Sequence, residues 1–151
     1  MNELLNLGAH HKYGTGDNFF HADRVAIINV WAYLYGLYKQ PEMLERSKWV
    51  LNAHLYASNY KKGTDVRFAD NPRRGEWWSW CDALYMAPTA FASVWEVTGE
   101  DAYLDYMNTQ WWKTSDYLYS KTDSLYYRDD RFFSQRTENG KKVFWGRGNG
   151  W

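Results

Sequence analysis

The run Glu76-Trp77-Trp78-Ser79-Trp80-Cys81-Asp82-Ala83-Leu84-Tyr85-Met86-Ala87-Pro88 sets the carboxylate of Asp82 among indoles, at the start of a helical pattern. Indole walls exclude water, and desolvation disfavours the charged form of an aspartate, so such a group holds its proton closer to neutral pH than an ordinary one. Flat aromatic faces also suit stacking on sugar rings. The run Val143-Phe144-Trp145-Gly146-Arg147-Gly148-Asn149-Gly150-Trp151 repeats the theme, with Arg147 between two tryptophans in glycine-rich backbone. An acid, a cation able to bind an anion and a stacking surface are the chemical content of the two runs.

The elements that position them follow from periodicity. Residues 8 to 21, rich in Gly and His, read as loop. From about Asp23, Val25, Ile28, Trp31, Ala32 and Tyr35 recur at three- and four-residue spacing on one helical face. The pattern breaks at Gln40-Pro41, and Pro41 suits the first turn of a second helix through Leu44, Val50, Leu51 and Leu55. A polar loop with Gly63, Pro72 and Gly75 leads to a third helix marked by Ala83, Met86, Ala90, Val94 and Val97. After a turn at Thr98-Gly99-Glu100-Asp101, Tyr103, Met107, Trp111 and Leu118 mark a fourth. The hairpins register at an offset of roughly 60 residues, Tyr35 with Trp95, Leu37 with Val97 and Leu44 with Leu104, a period expected of stacked or ring-closed helix pairs. Ser124 to Arg128 and Lys142 to Trp145 read as short strands around a turn at Thr137-Glu138-Asn139-Gly140.

In this register Asp23 and Asp82 fall near the starts of equivalent helices and should emerge at the same end of the helical layer. Helix N-capping is the ordinary work of aspartate at such a position and stands as the alternative for both.

Composition narrows the function classes. Ten Trp, 13 Tyr and 7 Phe make 20% of the chain aromatic on a mean hydropathy of -0.72. That excess suits either a sticky cleft or a core of large side chains. Lys plus Arg and Asp plus Glu both count 18, so no phosphate-backbone footprint is present and nucleic acid is not an expected partner. Cys81 is the only cysteine, which excludes an intrachain disulfide and a multi-cysteine metal site. Without an activating base in view it reads as a small buried residue. His10, His11, His21 and His54 form no ligand constellation, and neither metal nor cofactor is expected. No apolar run approaches a membrane span and the first six residues lack the regions of a signal peptide, so the expected compartment is the cytoplasm.

The aromatic run around Asp82, the run Tyr127-Arg128-Asp129-Asp130-Arg131-Phe132 and the run Phe144 to Trp151, in that order, resemble glycoside hydrolase family 105. These are the unsaturated rhamnogalacturonyl hydrolases, related to the unsaturated glucuronyl hydrolases, and the resemblance extends from about Tyr13 onward. It implies an (α/α)6 barrel with its active site at one end of the inner helices. Asp82 then takes the place of the general acid/base and Asp23 that of the second active-site aspartate. Trp80, Trp145, Arg147 and Trp151 fall on positions that line the substrate pocket. The implied reaction releases a terminal unsaturated uronic acid from a pectin-derived oligosaccharide by hydrating its C4–C5 double bond. Against six hairpins in such a barrel, the pattern supplies two. The expectation is therefore a mainly α partial barrel over residues 1–151 with a short β-hairpin near its end, inactive alone and self-associating through an open helical edge. Histidines that some members carry upstream of the aromatic run and near Arg128 have no counterpart here. A noncatalytic carbohydrate-binding module, or a helical-repeat interaction module whose aromatics are core, is the alternative from other function classes.

Overall fold

In the computed structural model, residues 2–18, 20–56, 66–70 and 78–151 are described, so the loop expected around Gly63, Pro72 and Gly75, together with Glu76 and Trp77, lies outside them. The order is α1 (Asn2–His10), α2 (Ala22–Val25), α3 (Ile28–Tyr38), α4 (Glu42–Tyr56), α5 (Ala83–Thr98), α6 (Ala102–Leu118), β1 (Tyr119–Ser120), β2 (Leu125–Tyr126) and α7 (Gly146–Asn149).

The two hairpins, α3–α4 and α5–α6, close in the same way. The N–H of Lys39 (φ 56°) donates to the Tyr35 carbonyl at 2.9 Å, and that of Gly99 (φ 71°) to the Trp95 carbonyl at 2.7 Å. Lys39 and Gly99 are matching positions in the sequence register, so the repeat extends to the left-handed residue that ends each first helix. α3 packs on α4 and on α5, and α5 on α6. The α5 face is built from Ala83, Ala87, Ala90 and Val94, all buried, and its small side chains let α2 and α3 approach closely. Val25, Ile28, Ala32, Leu44, Val50 and Leu51 complete the other side of this core with Phe91 and Tyr103.

Pro88 sits inside α5 and has no N–H for the Leu84 carbonyl one turn back. The indole N–H of Trp111 on α6 donates to that carbonyl at 3.1 Å. The packing of α6 on α5 therefore supplies the partner that the proline removes.

Three expectations need correction. The stretch expected as loop from residue 8 is helical as far as His10, because Gly8 lies under the buried ring of Tyr13, where a Cβ would come within 2.3 Å. Tyr13 in turn meets Trp31 edge-on at 5.4 Å, and the Trp31 indole donates to the Gly14 carbonyl at 3.2 Å, so tertiary contact fixes this segment. The helix expected to run unbroken from Asp23 divides at Ala26 and Ile27, where the N–H groups of Asn29 and Val30 reach back three residues instead of four. Its apolar face is kept, with Val25, Ile28, Trp31 and Ala32 all buried. The small β-hairpin exists, but β2 pairs with β1, Tyr119 opposite Tyr126 and Ser120 opposite Leu125, and not with Lys142 to Trp145. The turn at Thr137 to Gly140 does form, with Gly140 at φ 73°, and is closed by a lone bridge between Arg136 and Lys142. Lys142 is drawn instead to Asp123 in the β1–β2 turn, and Asn149 takes the free edge of β2.

Candidate active site

Asp82 occupies the cap position of α5 in helical geometry (φ -65°) and its side chain makes no capping hydrogen bond. Asp82 is nevertheless a buried residue, 4% exposed. The segment before it is latched at two points. The Thr114 hydroxyl donates to the Trp78 carbonyl at 2.7 Å, and the Cys81 N–H donates to the Arg128 carbonyl at 2.9 Å. Trp78 is a core residue, 1% exposed. Cys81 is buried too, its thiol pushed up to about 12 by burial first and then by the charge of Asp82, which suits an inert packing residue.

Burial raises the pKa of Asp82 above its ordinary 3.8, and the charge of Asp23 raises it further. His21 and the N–H groups of Asp82 and Ala83 pull it part of the way back. Asp23 lies in the single turn of α2 with a half-exposed side chain (55%). It does not cap that helix. His21 does, its Nδ1 accepting the Asp23 N–H at 3.2 Å.

Asp23, Asp82, Trp80, Trp145, Arg147 and Trp151 line one cavity of about 410 Å³, and Met86 and Arg128 complete its wall. The six residues named from the sequence are thus brought together from α2, the head of α5 and the C-terminal segment, and the two aspartates emerge at one end of the helical layer. A second cavity of about 400 Å³, between the Gly14–Gly16 loop and α3, shares Asp23 but none of the buried acid.

The C-terminal segment is held by packing and by one amide. A Cβ on Gly148 would come within 2.4 Å of the Trp145 ring and 2.9 Å of the Cys81 sulfur, so only glycine lets α7 lie this close to the latch beside Asp82. Asn149 accepts the Tyr126 N–H at 2.7 Å and donates to the Tyr126 and Trp145 carbonyls at 2.9 and 3.0 Å. Arg147 lies over both cavity indoles, its Cζ 5.0 Å from the Trp145 ring and 5.8 Å from that of Trp151. Trp151 meets Trp145 edge-on and stacks with Tyr85 at 6.0 Å.

Arg128, Met86 and His21 were not foreseen as site residues. Nothing in their spacing ties them to Asp82, and for Arg128 the link is the Cys81 backbone bond, which a linear pattern does not carry. Among the described residues no group of three or more His, Cys, Asp or Glu could hold a metal ion, and no helix is long and apolar enough to cross a membrane.

A buried, uncapped carboxylate facing a second aspartate, with tryptophans and arginines around it, is equipped to give and take a proton beside a bound sugar. The family model for Glycosyl Hydrolase Family 88 matches residues 3–151. An unsaturated 3S-rhamnoglycuronyl hydrolase of Formosa agariphila is 37% identical over 160 aligned residues, covering 100% of this chain and 42% of that protein. A protein of the same name from Alteromonas sp. is 50% identical over 74 residues, 49% of this chain and 18% of its own length. Among solved structures, a family 88 glycosyl hydrolase from Bacteroides vulgatus superposes with a TM-score of 0.75 at 21% identity, over 98% of this chain and 43% of that one. A chain titled a polysaccharide lyase gives a TM-score of 0.66 at 26% identity, over 86% and 33%. The present chain spans less than half the length of each of these relatives. Its helical hairpins have the (α/α)6-type arrangement of the family 88 structure. With the family match running through every element that lines the cavity, the chain belongs to glycosyl hydrolase family 88.

Proposed function

We propose that this chain carries the acid/base centre of a hydrolase that removes a terminal unsaturated uronic acid from a uronate–rhamnose oligosaccharide of the kind a polysaccharide lyase leaves. The observation that carries the reading is the Asp82 carboxylate, buried and not used for capping, in one cavity with Asp23 and an arginine over two indoles. The names of the two curated relatives support the substrate class. The three sequence motifs support the finer placement among the unsaturated rhamnogalacturonyl hydrolases of family 105. In this reading the four helices α3 to α6 form one arc of an (α/α)6 barrel.

The residues assign themselves to steps. Protonated Asp82 delivers its proton to C4 of the C4–C5 double bond, and positive charge develops at C5 and the ring oxygen. Water adds at C5, and the Asp82 carboxylate accepts the proton it gives up, so the acid is restored. The hemiketal at C5 opens to a ketone, and the hemiacetal left at C1 expels the neighbouring sugar as its free hydroxyl form. A group that donates first and accepts second is served by a raised pKa, which burial against the cavity wall provides. Asp23 acts as the second carboxylate, oriented toward the incoming water. Arg147 meets the uronate carboxylate with its planar fork, and Trp145 and Trp151 offer faces to the sugars.

Turnover is read as loss of the ultraviolet absorbance of the conjugated double bond, with release of the neighbouring sugar. Asp82→Asn is expected to lower kcat by ~10²-fold or more with binding of the oligosaccharide kept. Measured in the protein that carries this chain, turnover within a few-fold of the parent would overturn the assignment, and binding without turnover in that parent would favour a noncatalytic carbohydrate-binding module.

A further inference from the structure

We propose that Arg128 is the fixed half of a two-arginine clamp on the carboxylate of the terminal uronate, with the more exposed Arg147 as its other half. The proposal rests on the substrate class inferred above and adds a specificity-determining residue to it. Four observations converge on Arg128. Its carbonyl accepts the Cys81 N–H at 2.9 Å, so its backbone is fastened to the residue next to Asp82 and cannot drift from the acid. Its guanidinium carbon lies 4.4 Å from the centre of the Trp80 ring and 5.3 Å from that of Phe132, so the group packs against both rings. Its Nε stands 3.2 Å from an oxygen of Asp129, a fully buried carboxylate.

The fourth observation is the pairing around Asp129. Asp129 is already held by Arg131, whose Nε and Nη2 donate to its two oxygens at 2.7 and 2.9 Å. The charge of Asp130 acts on Arg131 as well. Arg131 lies against the Phe68 ring, outside the cavity wall, whereas Arg128 lines the cavity. The guanidinium that lacks a two-point carboxylate partner is thus the one placed where a substrate anion would bind. Among the described residues no protein acceptor takes a hydrogen bond from the Arg128 terminal nitrogens, which leaves the edge of its fork for a planar two-oxygen ligand. The same stacking bears on Trp80. With a guanidinium over its ring it serves as the platform for Arg128.

The test compares two substrates that differ at one group, the unsaturated uronate and its methyl ester on the same neighbouring sugar, in the protein that carries this chain. A ratio of kcat/KM values within one preparation does not depend on how much of it is folded. Arg128→Gln keeps the backbone latch and leaves Asp129 paired with Arg131. It is expected to lower kcat/KM for the acid by ~10²-fold, mostly through KM, and for the ester by less than about threefold, as loss of one partner from a charged pair predicts. Arg128→Lys should restore part of the preference, since it returns the charge without the fork. An equal loss on acid and ester would show a merely structural role and overturn the proposal, as would a preference untouched in Arg128→Gln and abolished in Arg147→Gln. If the parent turns over neither substrate, the functional reading fails by itself, and the same ratio is then read in binding of the acid and the ester by tryptophan fluorescence. Loss of that preference in Arg128→Gln supports the clamp and its persistence refutes it.

Discussion

At the head of α5 the proton affinity of Asp82 is set by neighbours that can be changed one at a time. Burial raises it, Asp23 raises it further and His21 lowers it. If protonated Asp82 is the donor, activity falls as pH rises through its pKa, and this falling limb reports the group. Asp23→Asn removes a negative neighbour, so the limb is expected at lower pH. A limb that stays in place or moves to higher pH in this variant would sink its assignment to Asp82. The same raised pKa has a cost in stability. Below 3.8 both the folded and unfolded chains hold the proton, and as pH climbs from there toward the folded value the unfolded chain loses it first, so stability falls across that window. Asp82→Asn, unable to ionise, should lack this fall and resist urea better than the parent at neutral pH, while differing little just below the ordinary carboxylate range. At this scale the sequence was informative about Asp82, whose indole neighbours announce desolvation, and about Arg147 between its tryptophans. It assigned Arg128 no role of its own, since the place of that residue in the site comes from a hydrogen bond across 47 positions and from the pairing of Asp129 with Arg131.

At the scale of elements, the hairpins are held together by repairs as much as by apolar burial. Pro88 breaks the α5 ladder and Trp111 mends it from α6. Trp111→Phe keeps an aromatic ring and leaves the Leu84 carbonyl without its donor, at an expected cost of about 1–3 kcal/mol. Pro88→Ala returns a backbone N–H to that carbonyl, so the cost of Trp111→Phe should shrink in the Pro88→Ala background. Urea midpoints of the four proteins give the coupling, expected at about 1 kcal/mol or more. Additive effects would mean that the indole contributes packing alone. The helices of the two hairpins were legible because each carries an apolar stripe of the right period and each hairpin turns at a break in it, Gln40-Pro41 and Thr98 to Asp101. The strand partners were not. Leu125 and Tyr126 look as able to pair with one neighbour as another, and the choice of Tyr119 and Ser120 is made by α6 delivering them at its end, with the Tyr119 and Tyr126 rings 4.9 Å apart. The loop expected around Gly8 failed for a similar reason, since the ring of Tyr13 decides that position from outside the local pattern.

Across the whole molecule, the aromatic surplus divides between the core, the cavity and an outer surface. Trp31, Trp78 and Tyr103 are buried, while Tyr33 on α3, Trp49 and Tyr56 on α4, Trp95 on α5 and Trp112 on α6 stand out from the helices that carry them. Tyr33, Trp49, Tyr56 and Trp112 are each at least half exposed, at 56%, 50%, 68% and 56%. Single exposed apolar side chains are ordinary, but here a large ring stands exposed on every helix of two packed hairpins, and aromatic faces of this kind suit association. In the matched relatives more than half of the length lies outside the part that this chain covers. Expressed as these 151 residues, the chain is therefore expected to associate with further copies of itself through its helical faces. Sedimentation velocity over a range of concentrations should show a weight-average mass that rises above 18.0 kDa. Paired substitution of Trp49 and Trp112 by Glu, both on exposed faces and outside the cavity wall, should move that distribution toward the monomer. The Asp82 cavity is built from α2, the head of α5 and the C-terminal segment, so the pair should leave its ligand affinity within about threefold of the parent, as expected for sites that share no partners. A chain that stays at monomer mass at the highest concentration reached, with the parent tryptophans in place, would show that these faces are compatible with water and that the helical edge is no interface.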